Sequence, residues 1–105
     1  AEGQITLVEP NRILKKAIDS YGVDMQLNVA VEEFSELIKE ICKYKRGAHN
    51  LTEIIEEIAD CEIMLRQLVM MFHISDLVIS DEIDRKVKRL EHRLDHPTEK
   101  GGVEE

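Results

Sequence analysis

Glu33 and Glu36 stand three residues apart, as do Glu57 and Asp60. Both pairs lie in segments whose apolar residues recur with helical spacing. On a helix, residues three apart share a face, with Cβ atoms about 5–6 Å apart. Two such helices packed antiparallel would gather four carboxylates around one small volume. Like charges 4 Å apart repel by about 4 kcal/mol at an effective dielectric near 20. Protons or cations must therefore neutralise the cluster. An all-oxygen acidic ligand set suits a hard divalent ion, Mg2+ first and Mn2+ second. Such an ion supports phosphoryl chemistry with an activated water.

The acids continue beyond the four. Glu33, Glu36 and Glu40 form one strip, and Glu53, Glu57 and Asp60 form another, with Glu56 beside it. Each strip borders an apolar stripe rather than opposing it, so packing can bring the two strips to one cavity edge. The rival explanation is solvated acid, because Glu favours helices and 22 acidic residues in 105 produce Glu-x-x-Glu by chance. Two features weigh against it. Few basic residues lie three or four positions from Glu57. Asp60 is also a poorer helix former than Glu, in the middle of a helical pattern.

Between the acidic pairs runs a basic segment. Lys39, Lys43, Lys45 and Arg46 are candidates to meet phosphate oxygens, alongside Tyr44 and the sequence Gly47-Ala48-His49-Asn50. The N-terminus of the following helix adds N–H groups suited to an anion. A basic helix C-terminus answering the helix dipole is the structural alternative. His49, His73, His92 and His96 are dispersed and make no convincing metal set.

Helices must position these groups. Pro10 suits a helix start, and Ile13, Leu14, Ala17, Ile18 and Tyr21 continue the pattern to Gly22, a C-cap residue. Ile5-Thr6-Leu7-Val8 before it reads as a brief strand or extended arm. A second helix is expected from near Asp24 to about Arg46, with Leu27, Ala30, Val31, Phe34, Leu37, Ile38 and Ile41 as its apolar stripe and Gly47 as its stop. Asn50 and Glu53 have capping-box spacing for the third, which carries Ile54, Ile55, Ile58, Cys61, Leu65 and Leu68. A break at His73 to Ser75 precedes a fourth helical section with Leu77, Val78, Ile79, Ile83, Val87, Leu90 and Leu94, capped by Ser75 or Ser80 and ended by Pro97. The expected fold is all-α, an antiparallel bundle of about four helices. The expected organisation is an arm over 1–9, a helical domain over 10–96 and a polar tail over 97–105.

Composition limits the partners. A net charge of −8 opposes binding to a nucleic-acid backbone. No apolar run approaches the roughly 20 residues that span a bilayer, so no membrane association is expected. The N-terminus lacks the basic and apolar regions of a signal peptide. Cys42 and Cys61 both fall in helical apolar patterns and read as buried free thiols in a reducing compartment, giving a cytoplasmic expectation. A chain of 105 residues has limited capacity to bury long apolar stripes by itself, so a homo-oligomer is expected.

Val31-Glu32-Glu33-Phe34-Ser35-Glu36-Leu37 and Ile55-Glu56-Glu57-Ile58-Ala59-Asp60-Cys61 resemble the motifs of MazG-type all-α nucleoside triphosphate pyrophosphohydrolases. The family signature is Glu-x-x-Glu, a variable gap, then Glu-x-x-Asp; here 20 residues separate Glu36 from Glu57. Lys43-Tyr44-Lys45-Arg46-Gly47 followed by Asn50 looks like the short members from phages and Gram-positive bacteria. The likeness spans Asn11 to Leu94. It implies a helical bundle assembled as a homodimer or homotetramer, with Mg2+ held by Glu33, Glu36, Glu57 and Asp60. It further implies hydrolysis of nucleoside or deoxynucleoside triphosphates between the α and β phosphorus atoms, giving a monophosphate and pyrophosphate. Related proteins act on dUTP or phosphoribosyl-ATP, so the resemblance leaves base and sugar open.

Among the four acids, Glu36 is our choice to orient or deprotonate the attacking water. No activated Ser or Cys nucleophile is evident, which favours direct attack by water. Two other functions use the same residues. One is a non-catalytic nucleotide or metal sensor, and the other is a structural helical oligomer with solvated acids.

Overall fold

The computed structural model describes residues 8–97, and within them the chain is all-α. Four helices follow one another: α1 (Val8–Tyr21), α2 (Val23–Lys45), α3 (Leu51–Met71) and α4 (Asp76–Asp95). Helices α1 to α3 belong to one compact unit, and α4 belongs to another. The arm proposed over 1–9 lies outside the described residues except for Val8 and Glu9, which open α1. Of the proposed tail only Pro97 is described.

Pro10 sits in the first turn of α1, where its missing N–H costs no helical bond. A single residue then joins α1 to α2. Gly22 has φ +94°; its N–H donates to the Ile18 carbonyl at 2.8 Å, and its own carbonyl accepts from the Gln26 N–H at 3.1 Å. One residue thus closes one helix and opens the next, in a conformation that a side chain would strain.

The end of α2 follows the sequence expectation closely. Gly47 has φ +101°, its N–H donates to the Tyr44 carbonyl at 2.9 Å, and the Ala48 N–H reaches back to the Lys43 carbonyl at 3.1 Å. These two bonds make a Schellman motif, which satisfies carbonyls that the helix leaves open. Helix α3 ends at Phe72 and His73, the latter at φ 55°. The Ser75 hydroxyl then accepts the Leu77 N–H at 3.1 Å and caps α4, which runs through Ser80 without a break.

Three side-chain bonds fix the direction and register of α2 against α3. Gln26 pairs with Gln67, Cys61 with the Glu33 carbonyl, and Asn50 with Glu40. Residue numbers rise along α2 as they fall along α3, so the two helices are antiparallel. Ile18, Ala30, Cys61, Met64 and Met71 form the buried apolar core of this unit. Gln67 lies among them at 2% exposure. Its carboxamide oxygen accepts from Gln26 Nε2 at 2.9 Å while its own Nε2 donates to the Leu14 carbonyl at 3.1 Å. One side chain thereby ties three helices, and a polar group this deep is tolerated because it is bonded.

The apolar stripe of α2 is wider than its packing within the chain. Ala30 is buried, but Val31, Ile38 and Ile41 are exposed, as are Ile55 and Ile58 on α3. Among the described residues no helix is long and apolar enough to cross a membrane.

Candidate metal centre

The antiparallel register brings Glu33 of α2 level with Asp60 and Cys61 of α3. Glu57 stands one helical turn before Cys61 on the same helix. Carboxylate oxygens of Glu33, Glu57 and Asp60 all lie within 4.8 Å of one another, and all three residues are half-buried. In an octahedral Mg2+ shell, ligand oxygens about 2.1 Å from the ion are about 3 Å apart when adjacent and about 4.2 Å when opposite. The triad is therefore close to the spread that such an ion requires, and three carboxylates leave room for water and phosphate oxygens.

The electrostatics agree with the spacing. Burial raises the Glu33 carboxyl above its ordinary range, and the charges of Asp60 and Glu57 raise it further. Burial likewise raises Glu57, with Asp60, Glu36 and Glu40 adding repulsion. In addition, Glu57 Oε1 is buried and accepts no hydrogen bond. A buried acceptor without a donor is costly, and a cation satisfies it directly. The donor set and the unsatisfied oxygen both fit a hard divalent ion.

Glu36 does not join the triad. Its side chain is 48% exposed and lies 3.8 Å from Lys39 Nζ, one turn along the same helix. It stays near enough to raise Glu57 by its charge. The structure thus gathers three of the four motif carboxylates and leaves the fourth at the rim. Helical spacing puts Glu33 and Glu36 on one face, but the side-chain torsions decide which carboxylate reaches the seam.

Cys61 lies against this centre without acting as a ligand. Its thiol donates to the Glu33 carbonyl at 3.4 Å. Burial pushes the thiol up, and the carboxylates of Glu57, Glu33 and Asp60 push it further, so it stays protonated and neutral. It packs α3 onto the backbone that carries Glu33. Both cysteines are free, and Cys61 is buried as its apolar pattern predicts; Cys42, expected to be buried too, is exposed, because two residues on from Glu40 it lies on the opposite side of α2.

The proposed phosphate-binding residues divide into two sets. Lys39 and Lys43 follow the acidic strip of α2 and are engaged there, Lys39 with Glu36 and Lys43 with Glu40 at 3.6 Å. Lys45 ends α2 and Arg46 caps it; both are exposed at the end of the helix pair nearest Asn50.

Asn50 has a different role from the one its capping-box spacing predicts. It occupies the N-cap position of α3 but makes no side-chain cap bond. Its Nδ2 donates to the Glu40 carbonyl at 2.9 Å and to Glu40 Oε1 at 2.7 Å. Both residues are buried, at 7% and 6% exposure. The Asn50 bond holds the Glu40 carboxyl below its ordinary range despite burial, and Lys43 assists. The signal in the sequence was the third acid of the α2 strip facing a short, amide-containing loop. Comparison with known proteins finds no family model, no curated protein and no solved structure that matches the chain.

Proposed function

We propose that the chain is a Mg2+-dependent nucleotide pyrophosphohydrolase that splits nucleoside or deoxynucleoside triphosphates between the α and β phosphorus atoms. The carrying observation is the half-buried triad Glu33, Glu57 and Asp60, with Glu57 Oε1 lacking any donor. The resemblance of the two acidic motifs to MazG-type enzymes supplies the substrate class.

Glu33, Glu57 and Asp60 would hold the ion, with Glu36 joining from the rim when substrate arrives. The bound ion would neutralise phosphate oxygens and make a nearby water more acidic. Glu36, exposed at the rim and 3.8 Å from Lys39, would leave that partner to orient the water and take its proton. Water oxygen forms a new bond to phosphorus, the bond between that phosphorus and the α–β bridging oxygen breaks, and the bridging oxygen leaves with the other product. Lys39, Lys43, Lys45 and Arg46 would meet the triphosphate, Lys39 and Lys43 by exchanging their present carboxylate partners for phosphate. Cytoplasmic nucleotide-pool chemistry and a homodimer or homotetramer belong to this proposal.

One observation favours a second function. With Glu36 turned toward Lys39, the triad alone is a metal site without a base, as a nucleotide or metal sensor would have. A single experiment separates the two. The protein is incubated with a panel of nucleoside and deoxynucleoside triphosphates plus Mg2+, and the products are resolved. Monophosphate and pyrophosphate in equal amounts, lost in Glu36→Gln and Asp60→Asn, support the hydrolase. Nucleotide binding without turnover supports the sensor, and binding of neither nucleotide nor divalent ion refutes both.

A further inference from the structure

Helix α4 plays no part in the metal centre as described, yet it carries the most ordered sequence pattern outside it. Ile83, Val87, Leu90 and Leu94 recur at intervals of four, three and four residues. This is the spacing of a heptad seam, with Ile83 and Leu90 at d and Val87 and Leu94 at a. Ile79 lies at the edge of the same stripe. All five are exposed, from 38% for Ile79 to 71% for Leu94, and no residue of α4 is buried. Apolar area arranged this way calls for a facing helix.

The charges beside the seam say which helix. In this register the e positions are Asp84 and Glu91, both acidic, and the g positions beyond Ile79 are Lys86 and Arg93, both basic. Parallel helices place g of one strand beside e of the next heptad on the other. A second copy in parallel register therefore sets Lys86 beside Glu91, twice by symmetry. An antiparallel pair would set g against g and e against e, bringing Lys86 toward Arg93 and Asp84 toward Glu91. The Lys86 ammonium lies 3.9 Å from Glu82 on its own helix, and its three donors allow it to serve both carboxylates.

We infer that the exposed stripe of α4 is a self-association surface, on which a second copy of this chain pairs its own α4 in parallel with Val87 and Leu90 at the seam. Asp76 and Ser80 occupy the preceding d and a positions, so the seam is confined to the later turns of α4.

Two sets of variants test it, with solution mass and dissociation constant measured by analytical ultracentrifugation. Lys86→Glu sets Glu against Glu91 at both symmetric contacts and is expected to weaken association roughly tenfold. Adding Glu91→Lys is expected to restore it. In a Cys42→Ser background, Ile83→Cys and Leu94→Cys are each expected to form an intermolecular disulfide under mild oxidation. Residues at both ends of the seam meet their own copies only in a parallel pair. A monomer at assay concentration, a charge reversal without effect, a double swap that fails to restore association, or cross-linking at only one of the two positions would each overturn the inference.

Discussion

Glu33 and Glu40 lie on the same strip of α2, two turns apart, and meet opposite environments. Glu40 is the more buried, yet its carboxyl is held below the ordinary range because Asn50 donates to it at 2.7 Å and Lys43 stands nearby. Glu33 faces Asp60 and Glu57, and its carboxyl is raised. One acid is neutralised by the chain's own donors, whereas the other sits among further acceptors. Acidity along a helix does not by itself define a metal site. The candidate site is where the two acidic strips crowd each other instead, at Glu33, Glu57 and Asp60, with Glu57 Oε1 buried and without a hydrogen bond.

The two ends of the strip are expected to respond differently to substitution. The largest expected effect is catalytic: Asp60→Asn should lower the proposed pyrophosphohydrolase turnover by about a hundredfold or more, because it removes a proposed charged ligand. Far-ultraviolet circular dichroism should show the fold retained. Glu40→Gln should leave turnover within a few-fold of the parent, and equal losses in both variants would erase the distinction.

Asn50→Ala probes the satisfied end. It strips the buried Glu40 carboxylate of its shortest hydrogen bond, and a lower melting temperature, by about 5–10 °C, is expected. Mg2+ affinity should change little. Unchanged melting would mean that the Asn50–Glu40 bond contributes nothing net.

The two ends also have opposite pH signs. A folded-state pKa raised above the unfolded value stabilises below the unfolded pKa and loses that contribution as pH rises through the folded value. Glu33 and Glu57 behave this way in the metal-free protein, so repulsion between them grows from acid toward neutral pH. Glu40 is lowered, so its contribution is present above the unfolded pKa and fades as pH falls through the folded one. Added Mg2+ should therefore raise the melting temperature more at pH 7 than at pH 4.5, where protons compete for the same oxygens. Glu40→Gln should flatten the acid limb of the metal-free profile. A Mg2+ effect larger at the acid end would contradict the assignment.

The smallest effect is a control. Gly22→Ala adds a Cβ that meets nothing within 4 Å, so the cost is the backbone strain at φ +94° and ψ 154°, about 1–3 kcal/mol. Thermal melts should show that loss while Mg2+ affinity stays constant. A loss of affinity would mean that the α1–α2 junction positions the triad.

Much of this was legible in the sequence because helix signals are local. Pro10, Gly47 and Ser75 mark ends where steric and hydrogen-bonding rules act on one or two residues. Three of the four motif acids meet because helical spacing and antiparallel packing suffice to align them. The departure of Glu36 was not legible, since it depends on side-chain torsions and a neighbouring lysine. Asn50 misled for a related reason: its spacing to Glu53 fits a capping box, but a buried carboxylate ten residues back competes for the same amide. The Gln26–Gln67 tie and the bond from Cys61 to the Glu33 carbonyl join residues 41 and 28 positions apart. Such pairings follow from register between helices, which no local pattern contains.

The most direct measurement is calorimetric titration of the metal-free protein with Mg2+, and with Mn2+ as the second ion, on the parent, Asp60→Asn and Glu40→Gln. Saturable binding that is lost in Asp60→Asn and kept in Glu40→Gln is the predicted result. Binding that survives Asp60→Asn undiminished, or no binding by the parent at millimolar ion, would contradict a divalent-cation site at Glu33, Glu57 and Asp60.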